Sequence, residues 1–285
     1  MKKILVLGAA GMAGHVIYTY LKELGKYEVI GTTNNNNLEG VSYKMNIFNK
    51  EEVESIISIV KPDIIINCIG MLIRTSKTNP DQTIYGNAYF PYILKDLAEK
   101  NNAKLIHIST DCVFSGKTGG YTENSFKDST DVYGLSKNLG EIIDDKNLTI
   151  RTSIIGPELK RNGEGLFHWF MQQEGIVNGF KSNFWSGVTT LELAKFIDWI
   201  VDCPFVGLVH LTNNEAISKY DLLHIFNEIY DKNLNIVDKK DYAANKSFVN
   251  TNDKITFLVP SYKQMLKEQK EFMLAHKSFY DTIYF

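Results

Sequence analysis

Lys3-Ile-Leu-Val-Leu-Gly8-Ala-Ala-Gly11-Met-Ala-Gly14 runs a short apolar strand straight into three glycines, and a helical pattern follows. Each glycine has its own reason in such a turn. Gly8 permits the tight reversal, Gly11 lets a pyrophosphate approach the backbone, and Gly14 lets helix and strand pack closely. The helix N-terminus beyond them attracts phosphate. An ordinary glycine turn can share this spacing. The strand–loop–helix context favours a dinucleotide site, with Gly8, Ala10, Gly11, Met12 and Gly14 as its contacts.

Outward from that turn, β-rich runs alternate with helical patterns. Strands are expected at Lys3–Leu7, Glu28–Gly31, Val41–Met45, Ile64–Cys68, Lys104–Ile108 and Thr149–Ser153. Helices are expected at Met12–Leu24, Lys50–Val60, Thr83–Lys100 and Val132–Asp144. Ile64-Ile-Ile-Asn-Cys and Leu105-Ile-His-Ile are almost continuously apolar, as in strands covered on both faces. The fold class that follows is α/β: a doubly wound parallel sheet of Rossmann type with a smaller C-terminal substrate-binding lobe. Residues 1–155 form the dinucleotide domain and 156–285 the lobe, with about 186–210 returning to the first core. Past Pro157, glycines interleave with Phe167, Trp169, Phe170, Phe180, Phe184 and Trp185, the composition of a loop-rich pocket wall. Amphipathic helices follow at Thr189–Val201 and Ser218–Tyr230, with Ser218 as N-cap, and Lys263–Lys277 reads as a solvated helix.

The chain has 285 residues, 44% hydrophobic and 22% charged, enough for a sizeable core. Its 31 basic and 33 acidic residues give a net charge of −2, so no global field points to nucleic acid or a membrane surface. Cys68, Cys112 and Cys203 are isolated and odd in number, which suits a reducing cytoplasm. The apolar stretch Ile4–Leu7 is too short for a signal-peptide core, no run is long enough to span a membrane, and a cytoplasmic chain is expected. The histidines show no spacing that would gather a metal, and none is expected.

Ser-Thr-Asp-Val-Tyr133-Gly-Leu-Ser-Lys137 sets a tyrosine and a lysine on one helix face. The ammonium can lower the phenol's pKa and also hydrogen-bond a cofactor ribose. A helix surface can carry both residues without purpose. Ser109-Thr110-Asp111, at the end of a buried strand, weighs against that, because such strand ends line the ligand crevice. A hydroxyl there can donate to a carbonyl while the tyrosine protonates it. Around Thr32 at the end of the second strand there is neither acid nor arginine, which favours NADPH and leaves NADH possible.

These motifs together resemble the extended short-chain dehydrogenase/reductases, and within them the dTDP-4-dehydrorhamnose reductase-like proteins. The resemblance rests on Gly8–His15, Asn67-Cys-Ile-Gly70, Asn87-Ala88 before Pro91, and Ser109–Gly116. It extends to Tyr121-x-Glu123, Tyr133–Lys137 with Gly140-Glu141, Arg151-Thr-Ser153 and Trp185–Thr190. It implies Thr110, Asp111, Tyr133 and Lys137 as the catalytic set. Cofactor contacts would come from Asn46, Cys68, Ile69, Gly70 and Asn87 besides the glycine loop, Thr32, Tyr133 and Lys137. Substrate contacts would come from Met71, Thr110, Asp111, Ile155, Phe167 and Trp185, although Phe167 reads more readily as packing than as a sugar platform and Trp185 equally as core. The implied reaction is NAD(P)H-dependent reduction of the 4-keto group of a nucleotide-activated 6-deoxysugar in cell-surface glycan biosynthesis, in a possible homodimer. Ile154-Ile155, Trp185-Ser-Gly-Val-Thr-Thr190 and Ile69–Arg74 depart from the rhamnose-type pattern where the sugar would sit. UDP-linked 4-keto-6-deoxy-N-acetylhexosamines are therefore credible substrates beside dTDP-4-dehydrorhamnose. An epimerase or dehydratase with retained NAD is the nearest alternative, and a non-catalytic dinucleotide sensor a more distant one.

Overall fold

The computed structural model describes residues 1–41, 43–240 and 243–285. Its first half contains β1 (Lys2–Leu7), α1 (Met12–Glu23), β2 (Tyr27–Thr33), β3 (Tyr43–Lys44), α2 (Lys50–Val60) and β4 (Ile64–Asn67). Next come α3 (Ile73–Thr78), α4 (Pro80–Ile84), a π-helical turn (Tyr85–Tyr89), α5 (Phe90–Lys100), β5 (Lys104–Thr110), α6 (Val132–Leu139) and β6 (Leu148–Thr152). The second half contains β7 (Ile154–Ile155), α7 (Leu166–Met171), β8 (Ile176–Gly179), β9 (Asn183–Trp185), β10 (Val188–Thr189), α8 (Thr190–Val201) and β11 (Gly207–His210). It closes with β12 (Ile217–Ser218), α9 (Lys219–Ile229), β13 (Asn235–Asp238), β14 (Ala244–Asn245), α10 (Tyr262–Ala275) and α11 (Lys277–Tyr284).

Seven parallel strands form one sheet in the order β11-β6-β5-β4-β1-β2-β3. Alternation along each strand explains the apolar runs, because successive side chains point to opposite faces. Ile4, Val6, Ile64, Ile66, Ile106 and Ile150 pack with α1 and α8 on one side. Leu5, Leu7, Ile65 and Leu105 pack with α2 and α5 on the other. The first of these cores continues through α9 and α10 to Tyr280 of α11, so the second lobe grows out of one sheet face. Outside the large sheet the described residues form only short pairings, β7 with β10, β8 with β13, and β9 between β12 and β14.

The chain departs from the expected elements where backbone chemistry intervenes. The single helix expected over Thr83–Lys100 is broken by the π-helical turn before Pro91, whose nitrogen cannot donate to the preceding turn. The helix expected to reach Asp144 stops at Leu139. A Cβ on the next residue, Gly140, would sit 1.9 Å from the carbonyl oxygen of Asn87, so the two backbones touch there. The third strand is shorter than Val41–Met45, and Ser42 lies outside the described residues. The C-terminal helix is no solvated rod: α10 buries Tyr262, Met265, Leu266, Gln269 and Met273. Among the described residues, no helix is long and apolar enough to cross a membrane.

Candidate active site

β1 and β4 are neighbours in the sheet, yet α1 covers one face and α5 the other, so a crevice opens at their carboxyl ends. The glycine turn lies there. Gly8 has φ +77°, and its carbonyl accepts the Gly11 N–H at 2.9 Å. A Cβ at Gly14 would come 2.1 Å from that same oxygen. Only glycine lets α1 sit this close. The helix has no side-chain cap at Gly11 and no acid in its first turn. Its first N–H groups and positive dipole end are free to meet an anion. His15 braces the turn from behind: Nδ1–H donates to the Gly11 carbonyl and Nε2 accepts from the Tyr280 hydroxyl, both at 2.8 Å. Burial holds that imidazole at a pKa of about 4, so the ring is neutral.

Cys68, Ile69 and Gly70 line the crevice past β4. Buried Asn67 shapes this turn by accepting the Ile69 N–H at 3.1 Å. Asn87, on the π-helical turn, clamps Met71 through its N–H at 2.8 Å and its carbonyl at 2.9 Å. Burial pushes the Cys68 and Cys112 thiols up to about 12, so neither offers a thiolate at neutral pH.

Thr110 ends β5; its hydroxyl accepts the Cys112 N–H and donates to Asp111 Oδ1, both at 3.1 Å. Asp131 caps α6 by accepting the Gly134 N–H at 2.9 Å. A Cβ at Gly134 would lie 2.2 Å from the Cys112 carbonyl, so α6 rests its backbone on the Thr110–Cys112 turn. That contact sets the Tyr133 phenol beside the Thr110 hydroxyl. Lys137 Nζ donates to the Ile108 carbonyl at 2.8 Å, and its side chain is buried. Burial pushes this ammonium down to about 8, against the pull of Glu141. Burial also raises the phenol well above its ordinary range, with Cys112 and Asp111 adding to the rise and the Thr110 hydrogen bond opposing it. The lowering expected from Lys137 is therefore not found, because desolvation dominates the phenol's surroundings. The phenol is fully protonated at neutral pH, as a proton donor must be.

Beneath this turn lies a buried ionic network. Arg151 donates Nε–H and Nη2–H to the two Glu141 oxygens at 2.8 and 2.7 Å. The Ser109 hydroxyl and Lys127 Nζ also donate to that carboxylate, at 2.7 and 3.2 Å. Arg151 Nη1–H donates at 2.7 Å to His210 Nε2, and His210 Nδ1–H passes on to the Val249 carbonyl. Burial and the Arg151 charge hold His210 at about 4. The ends of β5, β6 and β11 are thus locked together directly under Thr110.

The opposite wall comes from the second lobe, and together they bound a cleft of about 730 Å³. Ala10, Gly11, Met12, Cys68, Ile69, Gly70, Thr110, Asp111, Tyr133 and Lys137 all line it. Ile155 and Trp185 line instead an adjoining pocket of about 260 Å³, which shares Asp111, Cys112, Ser153 and Ile154 with the cleft. The Trp185 indole N–H donates to Ser153 Oγ at 2.7 Å, and its ring packs on Tyr262. Other expected residues lie elsewhere. Phe167 is fully buried among Phe226, Tyr230 and Tyr284. Met71 packs under Gly86, and Asn87 acts through it rather than from the cleft wall. Thr32 is buried with its hydroxyl unpartnered, and exposed Asn46 caps the turn before α2.

Sequence reasoning missed much of the outer wall: Arg74 and Lys77 on α3, Ser153, Glu158, Lys160 and Glu164, and in the small pocket Lys219 and Lys246. Arg74 pairs with Glu164 at 3.3 Å, joining the two walls. Tyr284 of α11 holds the same loop, its hydroxyl accepting the Glu158 N–H at 2.8 Å. A readable signal existed for Lys219, since it directly follows the Ser218 cap. Among the described residues, no cluster of three or more histidines, cysteines or acids could hold a metal.

A family model described as the RmlD substrate binding domain matches residues 1–247. The dTDP-4-dehydrorhamnose reductase of Aggregatibacter actinomycetemcomitans is 27% identical over 241 residues, covering 80% of this chain and 79% of that protein. Methionine adenosyltransferase 2 subunit beta of Xenopus tropicalis is 28% identical over 242 residues, covering 78% of this chain and 70% of that protein. The crystal structure of dTDP-4-dehydrorhamnose reductase from Bacillus anthracis str. Ames in complex with NADP superposes with a TM-score of 0.82 at 19% identity, covering 95% of this chain and 99% of that one.

Proposed function

Because the chain belongs to the RmlD substrate-binding-domain family, of extended short-chain dehydrogenase/reductase type, we propose that it reduces a ketone on a nucleotide-activated 6-deoxysugar. The observation that carries this reading is the convergence of Thr110, Tyr133 and Lys137 on the cleft that the glycine turn enters. A sensor of dinucleotides would need the turn alone.

The turn suits a dinucleotide on its own evidence: an uncapped helix N-terminus, a left-handed Gly8 and a glycine-only contact at Gly14. Its pyrophosphate would meet the N–H groups of Met12 and Ala13 in the first turn of α1, and Lys137 would hold the nicotinamide ribose. A reduced nicotinamide bound there supplies hydride to the carbonyl carbon. Tyr133 gives its proton to the carbonyl oxygen, and the Thr110 hydroxyl turns from Asp111 to donate to the same oxygen. Residues 32–37 hold no carboxylate to repel a 2′-phosphate, which supports NADPH over NADH. The reductase relative supports a 4-keto-6-deoxysugar substrate and a place in glycan biosynthesis. Exposed Ile84, Tyr89, Tyr92, Leu135 and Leu139 on neighbouring helices support a homodimer through that face.

NADPH oxidation against UDP-, dTDP- and GDP-linked 4-keto-6-deoxysugars tests the reading. Turnover with none of them overturns it. The second reading, a dinucleotide-binding subunit without turnover, draws on the methionine adenosyltransferase relative. It would bind NADPH tightly and oxidise it with no sugar. Stoichiometric NAD retained through purification, with turnover lacking added cofactor, would instead mark an epimerase or dehydratase.

A further inference from the structure

The small pocket holds more positive charge than its fold requires. Its walls bring together Lys219 from the first turn of α9, Lys246 just past β14, Asp111 and Cys112 from the catalytic turn, and the apolar Ile155 and Trp185. Two ammonium groups face a single carboxylate. Neither lysine forms an ion pair within 4.0 Å with any carboxylate among the described residues, whereas Lys127 and Lys195 do, and the half-buried Lys104 and buried Lys137 each donate to a backbone carbonyl. Lys246 hydrogen-bonds the neutral Cys112 thiol and feels the Asp111 charge. Asp111 is already engaged: the Thr110 hydroxyl donates to it at 3.1 Å, and Ser153 hydrogen-bonds it as well. Burial pulls the Lys219 ammonium below its ordinary range, and the nearby Lys246 charge adds to this. Asp111 balances one of the two cations, and the positive charge left over in a concave, half-apolar pocket is arranged for a ligand that brings the second anion.

We infer that this pocket is an anion subsite of the substrate, in which Lys219 and Lys246 take a negatively charged phosphate or carboxylate group borne by the molecule reduced at Thr110 and Tyr133. The inference rests on the reductase reading. Asp111 and Cys112 line both spaces and directly follow Thr110, so the group taken there belongs to the reacting sugar or to the phosphate attached to it. A distant nucleoside would lie elsewhere. Trp185 supplies the apolar wall and holds Ser153, which hydrogen-bonds the Asp111 carboxylate.

Calorimetric titration of UDP, UDP-glucose and UDP-glucuronate into NADPH-saturated protein tests this, with wild type, Lys219→Met, Lys246→Met and Lys246→Arg side by side. Each methionine variant should weaken binding on the order of tenfold to a hundredfold, leave NADPH affinity and melting temperature unchanged, and be rescued at position 246 by arginine. An equal loss for all three probes identifies the phosphate. A loss confined to UDP-glucuronate identifies a carboxylate on the sugar. Folded methionine variants that bind all three as wild type does, or a wild type that binds none, overturn the inference. The kinetics separate the two readings. No turnover in wild type with lysine-dependent anion binding intact removes the reductase and keeps the subsite. Normal turnover with an unchanged Michaelis constant in both methionine variants removes the subsite and keeps the reductase.

Discussion

The two walls of the cleft are built from different materials. The wall at the ends of β1, β4 and β5 is largely backbone: N–H groups at Met12 and Ala13, the turn after Asn67, and the Ile108 carbonyl that holds Lys137. The facing wall is side chains drawn from residues 153–165, 183–185, 219 and 246. Backbone cannot be exchanged by a point mutation, whereas side chains can. The first wall therefore suits a constant partner such as a dinucleotide, and the second a ligand that differs from one relative to the next.

The strongest way to break this division is at Tyr133, a side chain that does chemistry on the backbone wall. Tyr133→Phe should lower turnover by ~10²–10⁴-fold while the dissociation constant for NADPH stays put. Near-normal turnover would remove the phenol from the reaction. Lys137→Met should lower turnover and weaken NADPH together, since one ammonium serves both.

Next in size is the support beneath that wall. Arg151→Met leaves the buried Glu141 carboxylate with Lys127 as its remaining ion-pair partner among the described residues, and should cost about 3–5 kcal/mol of stability in chemical denaturation. A loss under 1 kcal/mol would mean that the network tolerates rearrangement.

On the side-chain wall, Trp185→Ala should lower the specificity constant by ten- to a hundredfold, or ~1–3 kcal/mol, with NADPH binding barely changed. A lower melting temperature with equal loss on two different nucleotide sugars would assign Trp185 to the core.

The pH profile is finer. Lys137 is charged below its pKa of about 8 and neutral above it. The specificity constant should be level on the acid side and fall by about tenfold per pH unit on the alkaline side. A profile flat to pH 10 would mean that its charge is dispensable.

The smallest effect concerns cofactor choice. Thr32 is too buried to accept a carboxylate without other damage, so exposed Asn34 is the better probe. Asn34→Asp should shift the NADPH-to-NADH ratio toward NADH by severalfold, on the order of 1 kcal/mol. An unchanged ratio would place the 2′-phosphate beyond that side chain's reach.

Legibility in the sequence followed the same division. Gly8, Gly11 and Gly14, the apolar β4 and β5, and the Tyr133/Lys137 spacing are local patterns whose physics acts within one turn or strand, and all were readable. Lys246 was not, and Lys219 only as the residue after the Ser218 cap, because nothing near either says that both line the pocket with Asp111. Phe167 could not be assigned either, since an aromatic ring buys burial as readily in a core as against a sugar. Met71 and its neighbours on α3 traded places for a related reason. The chain turns helical at Ile73, and Leu72, Ile73 and Arg74 face the cleft in place of Met71.

The bond between His15 and Tyr280 has a consequence for the order of events on the ribosome. The two residues are 265 positions apart. Most of the sheet can assemble as it emerges, yet the imidazole that braces the dinucleotide turn has only its local bond to Gly11 until Tyr280 arrives as its second partner. At typical synthesis rates of about 5–20 residues per second, that wait is tens of seconds. Until α8 emerges, the face of α1 that it later covers is bare apolar surface, the kind that chaperones hold. Cofactor capture should then be among the last steps of maturation, and a chain released short of Tyr280 should be recognisable by a dinucleotide turn that is present but unbraced.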